Sequence, residues 1–121
     1  CGGLAPIADL YKTEVYQLAQ WFNEREGMCA IPQNIFDKAP SAELRPGQKD
    51  QDSLPEYDVL DSILHALIEE SKRAEDIDLP GVTPEDVNRV QSLMRRSAFK
   101  RLQLPPLLPV GNHAFGVHVH M

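Results

Sequence analysis

Lysine, serine and carboxylate side chains gather in two stretches of the sequence that also contain flexible backbone. The first runs from Lys38 through Ser41 to Asp52, and the second surrounds Lys100. Together with Lys12, these stretches offer ammonium and hydroxyl groups that can donate hydrogen bonds to phosphate oxygens. The pattern is compatible with a polyphosphate ligand. A polar surface loop with solvated charges gives the same pattern and is the commoner origin of it, so the residues alone leave both interpretations open.

The elements that must position these groups begin with an amphipathic helix. We expect Asp9 or Thr13 to cap its start, Gly27 to end it, and Trp21 to belong to its packing. Its apolar side chains follow the spacing i, i+3, i+4 and i+7, and they are Val15, Leu18, Ala19 and Phe22.

A long loop is predicted between residues 31 and 55, because proline, glycine and polar side chains interrupt every periodic pattern there. One short turn is expected around Asn34–Asp37. Loops of this length in a compact domain are usually either functional or disordered. The segment Lys38–Asp52 is therefore the part of the loop in which we look for function.

Two further helices follow the loop. The first carries a broad apolar stripe that should pack on a core: Leu60, Ile63, Leu64, Leu67 and Ile68. The next begins with Thr83 as N-cap and Pro84 at the first helical position. It continues through Val87, Val90, Met94 and Ala98 and ends near Lys100-Arg101, before Pro105-Pro106. Residues 107–121 are predicted to be a short strand or an irregular tail.

The overall composition restricts the class of protein. The chain has 121 residues, with 42% hydrophobic and 25% charged, which fits one small globular domain. A net charge of −6 argues against a nucleic-acid partner or an anionic membrane surface. No apolar run is long enough to cross a bilayer and no secretory signal is seen, so we expect a cytoplasmic protein. Cys1 and Cys29 are expected to be reduced thiols rather than zinc ligands or a disulfide.

Four segments, in order and in register, resemble the NAD+ synthetase family. They are GLAPIADLYKTEVY at residues 3–16, IPQNIFDKAPSAEL at 31–44, PGQKDQDSLPEYDVLD at 46–61, and FKRLQLPP at 99–106. The Ser-Leu-Pro-x-Tyr motif is more similar to the glutamine-dependent branch of the family. Phe99 agrees with this, because the ammonia-only branch typically has histidine at that position. The resemblance covers nearly the whole chain.

The resemblance implies an α/β parent fold of the adenine nucleotide alpha-hydrolase type, of which this chain would be a mostly α-helical piece with a long loop. Residues 1–121 would be the C-terminal portion of the synthetase domain. The implied activity is that of a carbon–nitrogen ligase: ATP adenylates the nicotinate carboxylate of deamido-NAD+, pyrophosphate leaves, and ammonia then displaces AMP. Mg²⁺ is implied for the parent enzyme, and a homo-oligomer is expected.

Residue by residue, the resemblance implies that Lys12 and Ser41 contact phosphates, that Lys38 lies on a closing loop, and that Lys100 approaches the nucleotide. None of the four is implied to be catalytic or to bind metal. Asp50 and Asp52 either help to hold magnesium or order the loop, and we favour the second role.

Parts of the family's machinery do not occur in the sequence. The Ser-Gly-Gly-x-Asp-Ser loop that binds pyrophosphate, the acidic metal segment and the glutaminase domain are missing. Since the start at Cys1 falls inside a Gly-rich turn, we expect the chain to be a piece of a longer protein. We expect its partners to be the remainder of the synthetase domain and the glutaminase domain. The chain alone is therefore expected to be inactive.

Three other interpretations are open. The three helices can form a small interaction module without catalytic activity. Cys1 can be an N-terminal nucleophile of another amidotransferase family, although the rest of the chain does not fit that family. His113, His118 and His120 can bind a metal, but a frayed tail explains them better, because no carboxylate or thiol lies nearby in the sequence.

Overall fold

The computed structural model describes residues 3–41, 44, 46–49 and 54–112. Within these residues the regular elements are helical, as predicted. They are α1 (Lys12–Glu26), α2 (Gln33–Asp37), α3 (Tyr57–Ile68), a 3₁₀ turn (Ala74–Asp76), α4 (Pro84–Arg96) and α5 (Ala98–Leu102). Extended pairing in this part of the chain is limited to one parallel bridge between Ala5 and Leu107. No described helix has the length and apolar character needed to cross a membrane.

The core lies between α3 and α4. Ile63, Val87 and Val90 are at most 1% exposed and interdigitate at the centre of this contact. The complete buried cluster is Leu60, Ile63, Leu67, Ile68, Val87, Val90 and Met94. These side chains come from the two predicted stripes, which confirms that both helices bury the face that their apolar spacing defines.

The predicted N-cap Thr83 begins α4, and Asp86 makes the cap reciprocal. The Asp86 N–H donates to Thr83 Oγ1 at 3.2 Å, and the Thr83 N–H donates to Asp86 Oδ2 at 3.1 Å. Pro84 occupies the first helical position, where no intrahelical N–H bond is lost. The bonds from the backbone N–H and then the hydroxyl of Thr83 lower the pKa of the Asp86 carboxyl below its ordinary value.

We expect Thr83→Val to raise the pKa of Asp86 towards that of an isolated aspartate, because the hydroxyl bond is lost while the backbone N–H remains. Thr83→Ser, which keeps both donors, should leave the pKa low. A carboxyl whose folded-state pKa is depressed stabilises the fold above the unfolded pKa, and this stabilisation disappears as the pH falls through the folded pKa. Carboxyl-carbon NMR titration measures the shift, and an unchanged pKa in Thr83→Val would show that the hydroxyl bond is unimportant.

The predicted third helix is divided in two at Ser97, which is a correction to the continuous helix expected through Ala98 to Lys100-Arg101. Two side chains satisfy the free carbonyl of Met94 at this break: Ser97 Oγ donates to it at 3.2 Å and Arg101 Nη1 at 3.1 Å. Serine hydroxyls compete in this way with the backbone bonds of a helix. A short α5 then follows and ends at Leu102, before the two prolines.

The first helix starts and ends near the predicted residues, but neither Asp9 nor Thr13 caps it. Tyr11 is the N-cap residue, and its backbone N–H donates to Glu14 Oε2 at 2.8 Å. The Thr13 N–H donates to Asp61 Oδ2, on α3, at 2.8 Å. The buried Asp9 instead accepts hydrogen bonds from the backbone N–H groups of Val110 and Gly111. Helix α1 is therefore capped by a side chain 48 residues away in the sequence.

We expect Asp61→Ala to loosen α1 from α3 and to lower the free energy of unfolding by about 0.5–2 kcal/mol, the usual cost of losing an N-cap acceptor. Amide hydrogen exchange at Thr13 should accelerate. The exposed Asp58, one turn earlier on α3, supplies the control Asp58→Ala. Equal exchange rates at Thr13 in the two variants would contradict the capping role of Asp61.

One face of α1 is not covered by any described part of the chain. The helix contains no buried residue, and Leu18, Trp21 and Phe22 are 44%, 49% and 40% exposed. The expectation that Trp21 is packed is therefore wrong for this chain: the side chain is half-exposed, and the guanidinium of Arg25 lies over its ring, 5.3 Å from the centroid. Gly27 ends the helix with φ +62°, as predicted.

Candidate functional site

The end of α2 leads into a cleft that collects cationic and hydroxyl side chains. Lys38 follows α2 directly, and its backbone N–H donates to the carbonyl of Asn34 at 3.1 Å. The cleft has a volume of about 580 Å³. It is lined by Lys38, Ala39, Ser41, Leu44, Pro46, Gly47, Gln48 and Lys49. The structure thus brings the predicted residues Lys38 and Ser41 to the same hollow.

Lys49 lies in the same cleft. It belongs to the predicted segment Lys38–Asp52, but it was not singled out as a site residue. A turn brings it there: Gly47 adopts φ +69°, which favours glycine, and the Leu44 N–H donates to Gln48 Oε1 at 3.1 Å. The cleft therefore presents two ammonium groups and one hydroxyl, the groups that bind phosphate oxygens.

Two contacts fix the entrance to this loop against α1. Asn23 Nδ2 donates to the carbonyl of Ile31 at 2.9 Å, and the Ile31 N–H donates to Asn23 Oδ1 at 2.9 Å. Further along, the ring of Phe36 in α2 meets the ring of Tyr16 in α1, with centroids 6.3 Å apart. Helix α2 is therefore tied to α1 at both ends of the segment 31–36, immediately before Lys38.

Lys12 is the first residue of α1 and does not line the cleft. Its ammonium lies 5.7 Å from the ring centroid of Tyr16 and 5.9 Å from that of Tyr57, within the range of cation–π attraction. All three side chains are half-buried. The first position of a helix disfavours a positive charge because of the macrodipole, so the rings help to offset an unfavourable placement.

Lys100 is exposed on α5 and is not among the residues around the cleft. The structure therefore brings Lys38 and Ser41 together and leaves Lys12 and Lys100 elsewhere on the described surface.

A second, acidic cleft lies between the start of α1, the end of α3 and residues 110–112. Tyr11, Glu14, His65 and Glu69 line part of it. Burial, and then the nearby carboxylates beginning with Glu69, raise the pKa of the Tyr11 phenol. His65 is half-exposed, with Nδ1 3.5 Å from Glu70 Oε1.

Among the residues that the structure describes, no three His, Cys, Asp or Glu side chains are grouped so as to hold a metal ion. The implied Mg²⁺ thus finds no ligand set in this part of the chain. Asp50 and Asp52, like the three C-terminal histidines and Cys1, lie outside the described residues. Cys29 is a free, exposed thiol.

Comparisons with a family profile and with individual proteins indicate the same family. The sequence profile described as NAD synthase matches residues 1–105. A glutamine-dependent NAD(+) synthetase of Xanthomonas campestris pv. campestris is 47% identical over 116 residues, covering 96% of this chain and 21% of that protein. The corresponding protein of Thermotoga maritima is 45% identical over 115 residues, 95% of this chain and 20% of that protein.

A solved structure is also similar. It is the glutamine-dependent NAD+ synthetase from Acinetobacter baumannii in complex with adenosine diphosphate, with 34% sequence identity and a TM-score of 0.49. The match covers 88% of this chain and 18% of that one. This chain spans about a fifth of the length of the curated relatives it matches.

Proposed function

The chain belongs to the NAD synthase family, and from that membership we propose that it forms the C-terminal portion of the synthetase domain of a glutamine-dependent NAD+ synthetase. The remainder of an α/β domain and a glutaminase domain are the proposed partners within the same enzyme. A homo-oligomer in the cytoplasm, where ATP is supplied, is the proposed setting. The chain alone is proposed to be inactive.

The proposed reaction has two steps. A carboxylate oxygen of the nicotinate in deamido-NAD+ attacks the α-phosphorus of ATP, and the bond to the departing pyrophosphate breaks. The nitrogen of ammonia, released from glutamine, then attacks the activated carbonyl carbon. The carbon–oxygen bond to AMP breaks, the added nitrogen loses its proton, and the carboxamide of NAD+ remains. Mg²⁺ is proposed for the whole enzyme, with ligands outside the described residues.

The cleft at the end of α2 carries the proposal for this chain. Cations placed beside the polyphosphate stabilise the charge that develops on the leaving pyrophosphate. Lys38 and Ser41 face one hollow, with Lys49 beside them, and are proposed to contact phosphate oxygens as the loop closes. Lys12 is proposed to contact a phosphate group, and Lys100 to approach the nucleotide, from their separate positions.

The uncovered face of α1 supports the proposed partner. An apolar side chain such as Leu18 or Phe22 on a helix surface normally faces a core, and helices of α/β domains place that face on a sheet. Leu18, Trp21 and Phe22 form such a face on α1, and it is half-exposed. This observation favours a chain that completes its core with further polypeptide over a self-contained helical module.

A segment exchange tests the proposal. We expect a chimaera of the Thermotoga maritima enzyme, with this sequence in place of the matching 115 residues, to form AMP and NAD+ from ATP, deamido-NAD+ and glutamine. The 121-residue chain alone should form neither.

Two results would contradict the proposal. One is formation of AMP by the isolated chain, which would show that it needs no further domain. The other is a chimaera that folds and binds its substrates but does not form NAD+. Size-exclusion chromatography of the chain provides the control: a monodisperse, cooperatively unfolding monomer would support the helical module.

A further inference from the structure

We propose that Tyr16 and Tyr57 are positioning residues that hold the ammonium of Lys12 between their rings and aim it at a phosphate group. The proposal rests on the phosphate contact proposed for Lys12 and adds the two residues that would orient it. Tyr16 lies one turn after Lys12 on α1, and Tyr57 is the first residue of α3. The centroids of these two rings lie 5.7 and 5.9 Å from the Lys12 ammonium, and the two rings together form a tyrosine clamp.

The clamp is a consequence of the Asp61 cap. Asp61 lies one turn after Tyr57 on α3, and Thr13 directly follows Lys12 on α1. The 2.8 Å bond from the Thr13 N–H to Asp61 therefore brings the first turns of both helices side by side. With that bond in place, Tyr57 faces Lys12 even though 45 residues separate them in the sequence.

A cation–π clamp suits a phosphate ligand better than an ion pair does. In the described part of the chain, no carboxylate oxygen lies within ion-pair distance of the Lys12 ammonium. The ring faces attract the positive charge electrostatically, whereas a carboxylate would also accept the N–H hydrogen bonds. The three N–H donors of Lys12 therefore stay available for phosphate oxygens. Restricting a long lysine side chain in advance also reduces the entropy lost when it binds.

Tyr16 has a second contact, which separates its role from that of Tyr57. The ring that faces Lys12 also meets Phe36 on α2, two residues before Lys38. Loss of the Tyr16 ring should therefore disturb both Lys12 and the entrance to the Lys38 cleft. Loss of the Tyr57 ring should disturb Lys12 and the edge of the α3–α4 core, against which Tyr57 packs, but not the Lys38 cleft.

The test uses the chimaeric synthetase with Lys12→Ala, Tyr57→Leu, Tyr57→Phe and Tyr16→Leu. We expect Tyr57→Leu to raise KM about 3- to 10-fold for the substrate whose phosphate Lys12 contacts, with kcat changed less than twofold, from the usual size of a cation–π interaction. Comparing KM for ATP with KM for deamido-NAD+ identifies that substrate. Tyr57→Phe retains a ring and should restore the original KM.

A second measurement follows the clamp itself. Acylation of each lysine by a limiting reagent, read by peptide mass spectrometry with Lys72 as internal reference, should show Lys12 reacting faster in Tyr57→Leu and unchanged in Tyr57→Phe. Lys72 is a suitable reference because its ammonium bonds Glu70 and is not the cation that either ring of the clamp contacts. Thermal unfolding shows whether each variant is folded. If Tyr57→Leu does not fold, Tyr16→Leu provides the second test of the clamp.

The outcomes are separable. If Lys12→Ala raises KM but Tyr57→Leu changes neither KM nor the reactivity of Lys12, the clamp is wrong while the proposed function stands. If Tyr57→Leu exposes Lys12 to the reagent but Lys12→Ala leaves both KM values unchanged, the phosphate contact proposed for Lys12 is wrong, and the positioning role ends with it.

Discussion

Ile63→Ala should lower the free energy of unfolding by about 2–5 kcal/mol, the usual cost of truncating a buried isoleucine to alanine. Ile63 is completely buried and lies at the centre of the α3–α4 contact. Its neighbours in the described part of the core include the fully buried Val87 and Val90, and removing the Ile63 side chain leaves a cavity among them. Because small domains are stable by only about 5–15 kcal/mol, this one substitution can leave much of the chain unfolded.

Amide hydrogen exchange of the α3–α4 core in the chimaeric synthetase measures the effect. Ile63→Val, which removes one methylene, should cost about 0.5–1.5 kcal/mol and serves as the graded control. Leu64→Ala, at a half-buried position on the same helix, should cost less than Ile63→Ala. If Ile63→Ala and Leu64→Ala are equally stable, the core does not lie where the α3–α4 contact places it.

The largest expected loss of activity follows Lys38→Ala. In the chimaeric synthetase, we expect kcat/KM for ATP to fall about 10- to 100-fold, because a hydrogen bond from a charged donor contributes about 1.5–3 kcal/mol. The prediction rests on the phosphate contact proposed for the cleft, where Lys38 lies beside Ser41 and Lys49. Steady-state rates of AMP formation at varied ATP measure it.

Lys72→Ala is the matched control for the loss of one positive charge. Its ammonium lies 2.5 Å from Glu70 Oε2, on the turn after α3, and it is not among the residues around the cleft. We expect that variant to keep its kcat/KM. Equal losses in the two variants would indicate a general effect of net charge, and no loss in Lys38→Ala would remove this residue from the proposed site.

The helices were predictable because their signals are local. The stripe that contains Leu60 and Leu67 repeats at helical spacing, and the Thr83 cap lies within four residues of its partner Asp86. The division at Ser97 was not predicted, because the apolar pattern continues through Ala98 while the Ser97 and Arg101 side chains end the backbone ladder. A pattern of apolar residues does not report such competition for a carbonyl.

The candidate site was predictable only where its residues are close in the sequence. Lys38 and Ser41 are three residues apart, so a shared cleft is a local property of one loop. The neighbours of Lys12 depend on the bond between Thr13 and Asp61, and the role of Asp9 depends on a partner 101 residues away. Long-range contacts of this kind carry no periodic signal in a single sequence. The apolar spacing of α1 likewise predicts that one face of the helix is covered, but it does not indicate which polypeptide covers it.

The paired hydrogen bonds between Asn23 and Ile31 determine where the loop can turn. A side-chain amide that both donates to and accepts from one backbone residue imitates a rung of antiparallel pairing, so Ile31 behaves as an extension of α1. Because Phe36 of α2 also packs on Tyr16 of α1, the pivot for any closing movement of Lys38 lies after Phe36 and not at Gly27. Lys38 lies two residues after Phe36, so even a fully extended backbone limits the Lys38 Cα to about 7 Å from the Phe36 Cα. The contacts of Asn23 and Tyr16 with this segment thus set the radius of the volume that Lys38 can search for its phosphate.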